Sequence, residues 1–200
     1  MPSSSSSSST TLTNLLVPTY KQSIKTLSAW LDKAGSEELL SKRLAPDMLP
    51  LATQIRFVCL QAQEAVYRLQ NKEIPQSVLD LAEESRQFGK EGAIGDTFVD
   101  AKARINETLR FLDTLEANAL DLDGSAERML ALELPGSLNF DLTGEQYARD
   151  WALPQFYFHM VTAYSILRNA GVELGKADYV PHMFAYLRPP APPAKAQDES

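Results

Sequence analysis

The stretch WALPQFYFHMVTAYSILRNAG (residues 151–171) is the densest aromatic segment of the chain and carries His159, one of only two histidines. Its apolar residues point to nearly every side of a helix, which predicts a last helix that is buried on several sides. Pro154 predicts a kink or a restart near its beginning, because proline lacks an amide proton. Gln155 and Thr162 share a helical face with His159. The rest of the fold therefore has to surround this helix.

Three earlier segments also carry apolar residues at steps of three and four, which predicts an amphipathic helix in each. The first ends near Gly35, the second begins at Pro50, and the third covers residues 97–120; a weaker helix is predicted for about residues 75–88. The residues predicted to face the core are Leu16, Tyr20, Ile24, Leu27 and Leu31 in the first helix, Leu51, Ile55, Val58, Ala62, Val66 and Leu69 in the second, and Val99, Ile105, Leu109, Leu112 and Leu115 in the third.

The segment ERMLALELPGSLNFDLTG (residues 127–144) has a different spacing of its apolar residues. Its apolar residues alternate with polar ones on both sides of Pro135-Gly136, which is typical of a β-hairpin. Thr143 and Gln146 then form a capping-box pattern that predicts the start of the last helix. The prediction is a mainly α fold, a four-helix bundle with a small β-hairpin before the last long helix.

Composition limits the classes of partner. The net charge of −7 comes without any basic stripe, so we expect no nucleic-acid partner. No apolar run reaches the roughly 18 residues of a membrane span, and the amino terminus lacks the pattern of a secretory signal, so we expect no membrane association and a cytoplasmic location. The single cysteine, Cys59, lies in an apolar helical pattern and is expected to be buried and inert.

The two ends of the chain differ from the middle. Residues 1–11 form a Ser/Thr-rich tract that is expected to be disordered, and residues 188–200 form a Pro/Ala-rich tail that is expected to be extended and flexible. Residues 12–182 are predicted to form the helical bundle.

His159 has three interpretations. It is a core histidine hydrogen-bonded to a neighbour, an acid/base or binding residue of a pocket, or a metal ligand. Gln155, one turn before it, is a poor ligand for a divalent transition metal, and no carboxylate lies on the same face, so we expect neither a metal nor another cofactor. Gln54 is notable because it lies in the first half of a helix that should be largely buried.

Two segments also carry a family resemblance. RLAPDMLPLATQIRFVC (residues 43–59) and ALPQFYFHMVTAYSILRNAGVELGKADY (residues 152–179) resemble the signature segments of the DUF1993 family, within the DinB/YfiT-like superfamily. The resemblance covers about residues 14–180 and implies an up-down-down-up four-helix bundle. It also implies a homodimer, because relatives of this fold often pair through their helices.

In the wider superfamily, three histidines on two helices often bind nickel or zinc. The LRNAG segment at the end of the last helix aligns this sequence with that pattern. His159 then matches the second histidine of an HxxxH on the last helix, and Gln155 occupies the position of the first. Gln54 falls near the histidine of the second helix. Two of the three ligands are thus replaced by glutamine. This departure puts metal-dependent thiol transfer or isomerisation in doubt, and the family itself has no general assigned activity.

The leading hypothesis is a metal-independent pocket for a small organic molecule. His159 would be its acid/base in a proton transfer, isomerisation or cyclisation, and Gln54, Gln155, Tyr157, Thr162 and Trp151 would bind the ligand. The alternatives are a non-catalytic binding or dimerisation module, and a degenerate metal-dependent enzyme of the DinB type.

Overall fold

The structure is a computed structural model that describes residues 11–188, except residues 92–95 and 135; for residues 88–91 it describes the backbone alone. Most of the predicted amino-terminal tract and of the Pro/Ala-rich tail lies outside the described residues, as do Gly92, Gly95 and Pro135.

The order of elements confirms a mainly helical fold with one small hairpin. The long helices are α1 (Leu12–Ala34), α2 (Leu51–Leu69), α3 (Gln76–Glu91), α4 (Phe98–Asp113) and α6 (Leu153–Asn169). The hairpin strands are β1 (Met129–Leu134) and β2 (Leu138–Thr143). A single turn α5 (Gly144–Gln146), a π-helical segment (Tyr147–Ala152) and a short α7 (Lys176–Tyr179) complete the set, with 3₁₀ turns at Glu37–Ser41 and Pro181–Tyr186.

The first two predicted core stripes are confirmed, since every residue named for them is buried. Helix α1 ends where Gly35 adopts a left-handed φ of 73°, a conformation that favours glycine. Helix α2 is the centre of the bundle, with α6, α3, α4 and α1 packed around it. Cys59 on α2 is buried as expected, and burial raises the pKa of its thiol to about 11.

The third stripe is only partly confirmed. Ile105 and Leu112 are buried in α4, while Leu109 and Leu115 are half-buried against the core. The prediction for Val99 is wrong, because this side chain is 74% exposed. Val99 is the second residue of α4, and a rotation of about 100° per residue puts it about 120° away from Ile105. Ala101 lies within about 40° of Ile105 and is buried instead.

The hairpin prediction is confirmed, with β1 and β2 antiparallel and Leu132 opposite Phe140. The predicted capping box is also present: Thr143 and Gln146 exchange side-chain to backbone hydrogen bonds at the start of α5. Gly144 is required here for a steric reason, since a Cβ atom at this position would lie 1.9 Å from the backbone oxygen of Ser125.

A buried ion pair ties α2 to the segment before α4. The guanidinium of Arg56 donates two hydrogen bonds of 2.7 Å to the carboxylate of Asp96. The side chains are 2% and 7% exposed, respectively. Because both charges lie away from water, each depends on the other for its stability.

The Asp96→Asn variant tests this pair. Asparagine removes the carboxylate that accepts both of these hydrogen bonds from the buried guanidinium, so we expect the free energy of unfolding to fall by about 3–5 kcal/mol, measured by urea denaturation. The matched control is Asp150→Asn, because Arg149 and Asp150 form an equally bidentate pair on the surface. The control is expected to leave the urea midpoint nearly unchanged. Equal losses in the two variants would contradict the structural role assigned to Arg56 and Asp96.

Candidate functional site

The buried pair of His159 on α6 and Gln54 on α2 joins the two helices that pack most extensively on each other. The Nδ1 atom of His159 lies 2.8 Å from Oε1 of Gln54, and the two residues are 6% and 1% exposed. Two of the residues predicted for the site are therefore in direct contact, 105 positions apart in sequence.

The hydrogen-bond pattern assigns the tautomer of this histidine. The Nε2 group of Gln54 donates to the carbonyl of Leu49 at 3.1 Å, so its Oε1 is the acceptor that faces His159. The proton of the imidazole is consequently on Nδ1, and Nε2 carries a lone pair. Within the described part of the chain, no side chain or backbone group donates to this Nε2 atom.

Aromatic rings enclose the imidazole. Phe57 stacks on it with ring centroids 4.6 Å apart, and Phe158 meets it edge-on at 5.2 Å. Burial among these rings disfavours the charged form and lowers the pKa of His159 from 6.5 to about 4. At neutral pH the residue is thus a neutral hydrogen-bonding group and a poor proton donor.

The other predicted site residues lie in different surroundings. Thr162 is buried, and its hydroxyl donates to the carbonyl of Phe158 within α6. Tyr157 is half-exposed on the α1 side; partial burial raises its pKa, and the hydroxyl of Thr19 on α1 lowers it in part. Gln155 is half-buried and makes no side-chain hydrogen bond to any described residue.

Trp151 lines a cleft of about 240 Å³ that adjoins the buried pair through Phe57. Helices α2 and α3, strand β1 and the π-helical segment form its walls, and His159 itself is not among its lining residues. Most of the lining is apolar: Phe57, Leu60, Ile74, Val78, Leu79, Ala82, Leu132, Leu134 and Trp151. Its polar members are Gln61, Glu64, Arg68, Arg86 and Glu133.

Both arginines of this cleft have carboxylate partners. Arg68 donates to Glu64 at 2.8 Å and also reaches the carbonyl of Ala131 in β1. Arg86 pairs with Glu83 at 3.2 Å. The cleft is therefore a mostly apolar space with paired charges at its wall, which suits an uncharged organic group better than a free anion.

Sequence reasoning placed the site on the last helix and missed the α2 side of this cleft. Glu64 and Arg68 are four residues apart on one helix, and this spacing is a local signal for an ion pair. No local signal, however, shows that α3 and β1 close over that pair, since this depends on the packing of distant segments.

A wider depression of about 600 Å³ lies between the carboxyl ends of α1 and α6. Its lining includes Lys33, whose ammonium group is already paired with Asp178 at 2.7 Å. The rest is helix-end backbone with few functional side chains. We therefore regard the smaller cleft beside Trp151 as the better candidate site.

The metal positions implied by the superfamily resemblance hold Gln54, Gln155 and His159. Gln54 uses both ends of its amide, toward His159 and Leu49, and Gln155 offers only a neutral amide. One imidazole and two amides do not fit a divalent transition metal. Among the residues that the structure describes, no group of three or more His, Cys, Asp or Glu could hold a metal ion.

Burial of neutral His159 predicts a pH dependence of stability. His159 binds a proton near pH 6.5 in the unfolded chain but only near pH 4 in the folded chain. The contribution of neutral His159 to the free energy of unfolding is therefore complete above pH 6.5 and is lost as the pH falls toward 4. The loss from this residue is of the order of 3 kcal/mol. Urea denaturation at pH 7 and pH 4 should therefore show a smaller pH effect in His159→Gln than in the wild type.

The control for this experiment is His182→Gln, which removes the other histidine of the chain. It is expected to keep the wild-type difference between the two pH values. An unchanged pH effect in His159→Gln would show that His159 is not held neutral by the fold.

Comparisons with known proteins agree with this architecture. A crystal structure of a DinB family member protein from Shewanella denitrificans is similar to this chain, with 28% sequence identity and a TM-score of 0.65; the match covers 93% of this chain and 96% of that one. No curated protein matches. In the described residues, no helix is long and apolar enough to cross a membrane. A family model described as a domain of unknown function, DUF1993, matches residues 12–180, and the chain therefore belongs to the DUF1993 family.

Proposed function

We propose that this protein binds a small, mainly apolar organic molecule in the cleft beside Trp151, without a metal ion. The observation that carries the proposal is the composition of the cleft: a concave space of about 240 Å³ with aromatic and aliphatic walls and a few polar groups. Clefts of this kind are the usual form of small-molecule sites, and this volume suits a ligand smaller than a typical drug.

Binding is the function that the geometry supports better than proton transfer. A pKa of about 4 leaves His159 almost entirely neutral at pH 7, so it is a weak acid/base there. The stacked Phe57 also stands between this imidazole and the cleft. Under this proposal the pair of His159 and Gln54 holds the ring of Phe57 in place as part of the wall, and catalysis by His159 stays a prediction.

Filling the cleft tests the proposal. The Ala82→Phe substitution adds a ring to a lining residue on α3 and so fills part of the cleft. A set of small aromatic and aliphatic compounds is first screened against the wild type by saturation-transfer NMR. The variant should fail to bind the compounds that the wild type binds. The matched control is Ala103→Phe, at an exposed position of α4. It is expected to bind the same compounds as the wild type.

Two outcomes would overturn the proposal. One is a wild-type protein that binds none of the fragments. The other is an Ala82→Phe protein that is folded by circular dichroism and binds the same fragments as Ala103→Phe.

Self-association is a second proposal, and a specific surface favours it. Helix α6 exposes Phe158 and Val161 one turn apart, and their side chains are 56% and 46% exposed.

If a second copy of the chain covers this face, Val161→Glu should convert a dimer to a monomer in analytical ultracentrifugation. The control Ser165→Glu, one turn further on, should have a smaller effect. A wild type that is monomeric at high concentration would exclude pairing through this face.

A further inference from the structure

Gln61 on α2 lines the cleft, and its side-chain amide has no hydrogen-bond partner among the described residues. The residue is only 8% exposed. Its amide nitrogen and oxygen are nevertheless not sealed from solvent, in contrast to the unpaired hydroxyl of Tyr147. Because so little of this side chain is accessible and the residue belongs to the cleft wall, the accessible amide faces the cleft.

The neighbouring glutamines of α2 show that this lack of a partner is an exception. Gln54 is paired with His159, and Gln63 donates to the hydroxyl of Thr108 at 3.0 Å. A polar group that lies away from bulk water without a partner costs free energy, so an unpaired one in a folded protein calls for an explanation. A ligand in the cleft would supply the missing partner of Gln61.

One face of α2 places this amide between an aromatic ring and an ion pair. The members of this face that line the cleft, at steps of four, three and four residues, are Phe57, Gln61, Glu64 and Arg68. Phe57 lies one turn before Gln61, so a ring that packs on Phe57 lies next to the amide. On the other side of the amide, Arg68 is already engaged by Glu64 at 2.8 Å.

The chemistry of a carboxamide limits what it can recognise. Its oxygen accepts and its nitrogen donates in one plane, so it pairs best with a ligand that carries a donor beside an acceptor, such as a primary carboxamide or a lactam. A carboxylate ligand would accept from the amide nitrogen but would leave the amide oxygen facing a negative oxygen. It would also have to compete with Glu64 for Arg68.

We propose that the side-chain amide of Gln61 is the specificity-determining group of this cleft, and that the ligand is an uncharged molecule with an apolar ring and a carboxamide or lactam group. This inference rests on the proposed binding function of the cleft. It goes further by naming the residue that recognises the ligand and the group that the ligand presents to it.

Gln63→Met is the matched control for Gln61→Met. Both variants replace a glutamine of α2 by an unbranched side chain that makes no comparable hydrogen bonds, but Gln63 does not line the cleft. Gln61→Met removes an unpaired amide, so it should not lower the stability measured by urea denaturation. Gln63→Met removes the bond to Thr108, so it should lower the stability modestly.

The binding experiment uses three probes with the same phenyl ring and the same number of non-hydrogen atoms. Benzamide carries a donor and an acceptor, acetophenone carries only the acceptor, and benzoate is an anion. Binding is followed by the indole N–H signal of Trp151 in ¹H–¹⁵N spectra of the full chain, assigned with Trp151→Phe, since the only other tryptophan is Trp30.

The expected result is a selective loss of benzamide. In Gln61→Met its dissociation constant should rise about thirtyfold, because two hydrogen bonds are lost, and that of acetophenone about fivefold, because one is lost. Gln63→Met should match the wild type with both probes. Benzoate should bind the wild type most weakly of the three.

A second variant tests for a switch of preference. Gln61→Glu keeps the shape of the side chain but replaces the donor by a second acceptor oxygen. A carboxylate pairs with an amidinium through two parallel hydrogen bonds. Benzamidine, the cationic analogue of benzamide, should therefore bind Gln61→Glu about tenfold more tightly than it binds the wild type, while benzamide should bind the variant more weakly.

Several results would overturn this inference. Equal losses of benzamide and acetophenone in Gln61→Met, equal losses in Gln61→Met and Gln63→Met, or no gain of benzamidine in Gln61→Glu would show that water satisfies the amide and that it does not recognise the ligand. A wild type that prefers benzoate would show that the site is selective for anions. In each of these cases a probe still binds in the cleft, so the proposed binding function stands. Failure of all probes to shift the Trp151 signal would reject this ligand class, and the comparison of Ala82→Phe with Ala103→Phe then decides separately whether the cleft binds anything.

Discussion

Helix α2 is buried on almost all sides, and this constraint organises the molecule. Of its 19 residues, 14 are buried, so its polar side chains have little access to water, and several of them have partners in other elements. Gln54 is paired with His159 of α6, Arg56 with Asp96 before α4, and Gln63 with Thr108 of α4. The surrounding helices are therefore held in place by polar contacts as well as by apolar packing.

Much of the fold could be predicted from local patterns. The stripes of α1 and α2, the hairpin and the capping box at Thr143 each depend on residues within a few positions of one another, and the structure confirms them. The error at Val99 is one of helical phase, because this residue lies outside the apolar face that Ala101, Ile105 and Leu112 form on α4. Helix α3 ends beyond the weaker helix predicted there, and it packs on α2.

The candidate site was less accessible to sequence reasoning. The phase of the last helix and the buried context of Gln54 indicated two polar residues of interest, and the structure places these two in contact. The local sequence did not show where this pair of residues lies relative to the cleft. The cleft lies on the far side of Phe57, between α3 and β1, and its walls come from segments up to about ninety residues apart that meet only through the packing of α2. Likewise, nothing near Arg56 in the sequence points to Asp96 as its partner.

The π-helical segment before α6 has a consequence for how this chain tolerates change in length. A π-helical turn holds one residue more than an α-helical turn, so it corresponds to a single-residue insertion within an otherwise regular helix. Removing one residue there would let the helix become regular and would leave the residues before it at nearly the same rotation about the helix axis, because a π-helical turn uses its extra residue to complete the same full turn. Removing one residue from the regular part of α6 would instead rotate everything before that point by about 100°, and Gly144 would lose its close fit against Ser125. The π-helical segment is thus the place in this helix where the chain can lose a residue without losing the packing of what comes before it.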